Sequence, residues 1–148
     1  MRRTILAVLI SFSLLVGCRA DEPHDFSNWD EERVYRFLNE IDSHISDIPL
    51  ETDNKEEIVQ MYEAYFSPEL SVKIVDSLYQ PADRGWKVPD GDSGYIFFVP
   101  DNQQNKVTMD IGQDAITVQE EFEFWMHARN QYTITYDQKP IISEWIME

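Results

Sequence analysis

The chain has 148 residues with 12 Lys+Arg against 28 Asp+Glu, a formal net charge of −16 at pH 7, so nucleic acid and anionic surfaces are poor partners for it. Its single cysteine, Cys18, excludes an internal disulfide, CxxC redox chemistry and a thiolate zinc site, which leaves the fold to its own core.

Arg2 and Arg3 form a positive start, Ile5 to Val16 is an apolar run, and small Gly17 stands where a signal peptidase cuts. The run is too short to cross a bilayer, which takes about 20 apolar residues. Leu15-Val16-Gly17-Cys18 resembles the lipobox of bacterial lipoproteins. That resemblance implies cleavage between Gly17 and Cys18, with the Cys18 thiol carrying diacylglycerol and in many bacteria a further N-acyl chain. It also implies a lipid-anchored protein on the extracytoplasmic face of the cell membrane, or of the outer membrane in a Gram-negative host. Arg19 then stands second, where an Asp resembles an inner-membrane retention signal in some species.

Taking 17 leader residues from 148 leaves 131, the size of one domain with a real core. Without Arg2 and Arg3 the basic count falls to ten against 28 acids, a net charge of −18 that favours cationic proteins, basic peptides or divalent metals. Residues 18–27 read as the lipidated cysteine and a tether, because RADEPHDF is polar, carries Pro23 and has no apolar period. Its eight residues reach only about 25–30 Å when extended, which holds the domain, residues 28–148, near its bilayer.

Asn28 with Glu31 has the spacing of a capping box, and Val34, Phe37, Leu38, Ile41, Ile45 and Ile48 then recur at helical steps to about Ser46. Asp53 with Glu56 repeats the signal ahead of Ile58, Met61, Tyr62, Tyr65 and Phe66. Ser67-Pro68 opens a third helix with Leu70, Ile74, Val75 and Leu78 inward. His44 reads as a boundary residue beside the first apolar stripe. After Tyr79 the period changes, and the expected strands are Tyr95–Val99, Lys106–Ile111, Ala115–Met126 and a terminal hairpin, Tyr132–Tyr136 with Ile141–Ile146. QEEFEFWMHAR would also serve as a helix, but Ile116, Val118, Glu120, Phe122, Phe124 and Met126 alternate onto one face, as a strand requires.

Three helices followed by a meander predict an α+β fold, with the helices packed on one face of a curved antiparallel sheet of four to five strands. This element order and the terminal hairpin, over residues 28 to 146, resemble the NTF2-like (nuclear transport factor 2-like) cone. A cystatin-like sheet wrapped on one helix is the alternative, and three helices ahead of the strands count against it.

Gly91-Asp92-Ser93-Gly94 looks like the stretch around a serine protease nucleophile, but the chain is too short for two β-barrels, and turn-forming residues explain it more simply. Asp90, Asp92 and Asp101 lack the oxygen ligand and glycine that a calcium loop needs at its fifth and sixth positions. No metal or cofactor is therefore expected. Glu120, Glu121 and Glu123 with His127 form the one acidic cluster near a histidine on a strand, where a buried carboxylate could do general acid/base work inside a cone, as the resemblance suggests. Trp125, on the opposite face from Phe124 and Met126, is the aromatic most suited to an exposed partner surface.

The reading that follows is a non-catalytic binding domain of the bacterial envelope, with Glu121, Glu123, Trp125 and His127 as the pocket or partner surface. Its partner would be a protein, peptide or small ligand, with cationic ones favoured. The alternatives are an acidic inhibitor or immunity lipoprotein directed at a cationic wall-active enzyme or toxin, and a small NTF2-like enzyme.

Overall fold

A computed structural model describes residues 25–90, 97–122 and 128–148. The expected lipobox, the GDSG stretch and the Glu123, Trp125 and His127 candidates lie outside those residues.

Phe26, expected in the tether, packs into the core. Its ring is 1% exposed and packs edge-on against Trp29 and Tyr136, and its N–H donates to the Gln113 carbonyl at 3.0 Å. A turn closed by the Trp29 N–H on the Phe26 carbonyl then displaces the expected Asn28 cap by two residues. Asp30 caps helix α1 (Glu31–Ser46) instead, its carboxylate accepting from the Arg33 N–H at 2.9 Å. Val34, Leu38 and Ile41 are fully buried along α1, each worth roughly 1.5–3 kcal/mol.

Strand β1 (Glu51–Thr52) leads to helix α2 (Lys55–Tyr62), capped by Asn54 rather than Asp53, with the Thr52 hydroxyl bonded to the Asn54 backbone. Helix α3 (Pro68–Leu78) starts as expected, Ser67 Oγ accepting from the Leu70 N–H with Pro68 in the first turn. Strands β2 (Gln80–Pro81) and β3 (Trp86–Lys87) join β1 in a small antiparallel sheet of order β1-β3-β2. Gly85 allows that closure: its φ is +66°, and a Cβ there would overlap the Thr52 carbonyl.

The main sheet is an antiparallel meander of order β4-β5-β6-β7, formed by β4 (Lys106–Ile111), β5 (Ala115–Phe122), β6 (Ala128–Asp137) and β7 (Lys139–Met147). Among the described residues the architecture is therefore α+β, three helices with two antiparallel sheets. One hydrophobic core joins Leu38, Ile41, Ile58 and Val75 of the helices to Ile116, Val118, Tyr132, Ile134 and Ile142 of the main sheet. Ser67 and Tyr65 also bond the Ile142 backbone, which ties the α2–α3 connection to the β7 edge.

Two strand expectations change, and one irregularity is new. Residues 97–99 form no strand, because side chain replaces ladder: the Phe98 N–H donates to Tyr132 Oη at 3.2 Å, and Tyr132 Oη donates to the Phe98 carbonyl at 3.0 Å. The terminal hairpin is longer than expected and turns on Gln138 alone, at φ 59°, between paired Asp137 and Lys139. A register shift against Thr133/Ile134 inserts Ser143 into β7 as a bulge, between Ile142 opposite Ile134 and Glu144 opposite Thr133.

Candidate functional site

The alternation that makes β5 a strand also separates its acids. Ile116, Val118 and Glu120 face the core, while Glu121 faces out. There Glu121 opposes Lys106 across the β4–β5 ladder and accepts its Nζ at 2.9 Å, with both side chains largely in water. The Lys106 hydrogen bond and charge hold the Glu121 carboxyl below its ordinary value. Glu121 is thus a surface ion-pair partner among the described residues and does not join Glu120 in one pocket.

Glu120 is 2% exposed. Its Oε1 accepts from the Asp101 N–H at 3.0 Å and from Asn105 Nδ2 at 2.7 Å, so one carboxylate oxygen pins both ends of the loop before β4. Its Oε2 has no hydrogen-bond partner among the described residues. Opposite it in the ladder stands buried Asn130, which accepts from Trp145 Nε1 at 2.7 Å and donates to Tyr132 Oη at 2.9 Å. Burial, with the Glu120 charge adding, pushes the Tyr132 hydroxyl up to about 12. At neutral pH this phenol is a fixed donor and acceptor rather than a base or nucleophile. The chain Trp145–Asn130–Tyr132–Phe98, with Glu120 beside it, is a buried polar clamp that holds residues 97–105 onto the sheet. Burial, then the charges of Glu31, Glu120 and Asp101, also raises Tyr35 on α1, which reaches the side chain of Asn102 on the same loop.

A second feature lies between α1, the α2–α3 connection and the β6–β7 turn. It is a groove of about 460 Å³ lined by Trp29, Arg33, Arg36, Phe37, Glu40, Ala64, Tyr65, Lys139 and Pro140. Its aromatic wall is a row of edge contacts, Trp29 to Phe37 at 5.6 Å and Phe37 to Tyr65 at 6.0 Å between ring centres. His44 lies beyond Tyr65, its ring tilted against it at 5.1 Å, and bonds the Met61 carbonyl at 2.8 Å, the boundary role its position suggests. The Arg33 guanidinium lies 4.8 Å from the Trp29 ring centre, Arg36 pairs with Glu32 at 3.0 Å, and Lys139 Nζ donates to the Ala64 carbonyl at 2.7 Å. Neither Arg33 nor Lys139 has an ion pair to a carboxylate among the described residues.

Sequence reasoning missed this groove. Arg33, Arg36, Phe37 and Glu40 share one face of α1 at steps of three and four, with Trp29 just ahead of its cap, a signal available in the sequence, but Tyr65 and Lys139 arrive from distant parts of the chain. Among the described residues, no three His, Cys, Asp or Glu side chains converge as metal ligands, and no helix is long and apolar enough to cross a membrane.

No protein-family model, curated protein or solved structure matches the chain.

Proposed function

We propose that this chain is a lipid-anchored lipoprotein of the bacterial envelope whose single domain binds a ligand or partner and performs no catalysis. Leu15-Val16-Gly17-Cys18 behind a short apolar run is the observation that carries the anchor. The groove supports the binding role, since about 460 Å³ lies in the roughly 300–1,000 Å³ range of small-molecule sites, and apolar walls with a few polar groups are their usual lining. The finer fold reading, an NTF2-like cone, rests on the order of helices before meander and on inward Glu120, Asn130 and Tyr132.

Two acyl chains anchor stably where one holds only marginally, so loss of the thiol has a large effect. In cells fed labelled palmitate, the wild-type chain takes up label and fractionates with membranes. Cys18→Ser takes up none and persists as the unprocessed precursor; a labelled Cys18→Ser chain would overturn the anchor.

A second reading, an acidic inhibitor or immunity lipoprotein, draws on the net charge of −16. It predicts binding to a cationic wall-active enzyme that weakens steeply with salt, because exposed charges are screened beyond about 8 Å at physiological ionic strength. Salt-independent association would count against it.

A further inference from the structure

We propose that the groove between α1 and the β6–β7 turn is a site for a small carboxylate bearing a flat apolar group. This rests on the reading of the domain as a binding module and names its ligand class. Three of the chain's 12 Lys and Arg residues converge there, although the whole molecule is strongly acidic. Among the described residues Glu40 is the one acid in the lining, and with Glu32 pairing Arg36, Arg33 and Lys139 leave the groove positive inside a negative surface. Salt screens the distant acids, whereas a ligand in the groove meets these cations at contact distance.

Each part of the proposed ligand has a place. The aromatic row Trp29, Phe37 and Tyr65 offers ring edges and faces to a flat apolar body. Arg33, held over Trp29, presents a planar fork of donors that matches a carboxylate bidentately. Lys139 keeps two further ammonium donors beyond the one given to Ala64, and approaches from the opposite wall. A cationic ligand would meet Arg33 and Lys139, neither ion-paired among the described residues, beside an Arg36 already balanced by Glu32 and with Glu40 to offset them. The site thus selects against the cationic class that the net charge favours.

The test uses the full chain in neutral-lipid nanodiscs, with empty nanodiscs as the blank, and ligand-observed ¹⁹F NMR of 4-fluorophenylacetate, 4-fluorophenylacetamide and 4-fluorobenzylammonium. The carboxylate should bind with Kd near 1 mM, about what a probe of this size can reach. The amide and the ammonium should bind at least about tenfold more weakly, since each loses a charge-assisted contact. Arg33→Gln and Lys139→Gln should each weaken the carboxylate about fivefold and the uncharged amide by less than about twofold. Arg33→Gln breaks no backbone bond, so it remains informative even where Lys139→Gln disturbs the turn. Equal or tighter binding of the ammonium overturns the ligand class while leaving a binding domain in place. No probe bound at about tenfold its expected Kd overturns the site itself, and neither result touches the Cys18 anchor.

Discussion

Tyr132→Phe isolates the buried clamp, because it removes one oxygen and keeps the ring. That oxygen accepts from Asn130 Nδ2 at 2.9 Å and from the Phe98 N–H at 3.2 Å, and donates to the Phe98 carbonyl at 3.0 Å. Phe98 is 41% exposed, so water can take over part of its backbone bonding, whereas Asn130 is 0% exposed and its Nδ2 loses the Tyr132 acceptor while Oδ1 keeps Trp145. One unsatisfied buried group costs about 1–3 kcal/mol, and a partly rescued backbone pair adds less, so the net loss should be about 2–3 kcal/mol. For a domain of this size that is roughly 8–10 °C in Tm. The alkaline limb supplies a second readout. Tyr132 titrates near 10 when unfolded and about 12 when folded, so its neutral form is favoured by the fold. That contribution is complete below pH 10, is lost as pH rises through 12, and amounts to at most about 3 kcal/mol. Urea unfolding at pH 7 and at steps from 9 to 12 measures both, with the Tyr132→Phe curve flatter at the alkaline end than that of the wild type. A loss under about 0.5 kcal/mol at pH 7 together with an unchanged alkaline slope would refute the clamp.

Glu120→Ala leaves the Asp101 N–H and Asn105 Nδ2 without their acceptor, and should cost about 2–4 kcal/mol in urea unfolding, with faster amide exchange over residues 101–105. Glu121→Ala removes a half-exposed ion pair to Lys106 and a long hydrogen bond from Gln119, so its stability should stay within about 1 kcal/mol of the wild type. Gly85→Ala should destabilise by more than about 1 kcal/mol and expose the β1-β3-β2 sheet to exchange, because φ +66° and the Thr52 carbonyl both oppose a Cβ. Ser67→Ala should cost about 1 kcal/mol by thermal unfolding, through loss of the α3 cap.

Much of the fold was legible because its signals are local. The α1 stripe, the Ser67-Pro68 start, β4 and the alternation in β5 each depend on neighbours a few residues apart. The caps of α1 and α2 moved by two residues and one because two acceptors competed at each start: burial of Phe26 fixed the turn ahead of Asp30, and the Thr52 hydroxyl bonds the Asn54 backbone ahead of α2. Tyr95 to Val99 reads as a strand by composition, yet at Phe98 its backbone finds a tyrosine hydroxyl 34 residues away rather than a neighbouring ladder. The two-residue strands β1, β2 and β3 are too short to show any period. The site reading chose Glu121 from the acidic cluster, whereas the ladder buries Glu120, whose partners Asp101 and Asn105 lie 19 and 15 residues upstream. The groove was half legible, since α1 carries one wall in its own periodicity and the opposite wall depends on how β7 docks.

The central claim is that this domain is held at a membrane by Cys18 and binds from there. Intact-mass analysis of the protein isolated from envelope membranes tests it most directly. The account predicts a chain that begins at Cys18 and carries the added mass of diacylglycerol, with or without a further acyl group. A chain that begins at Met1, or one cut elsewhere with an unmodified Cys18 thiol, would contradict it.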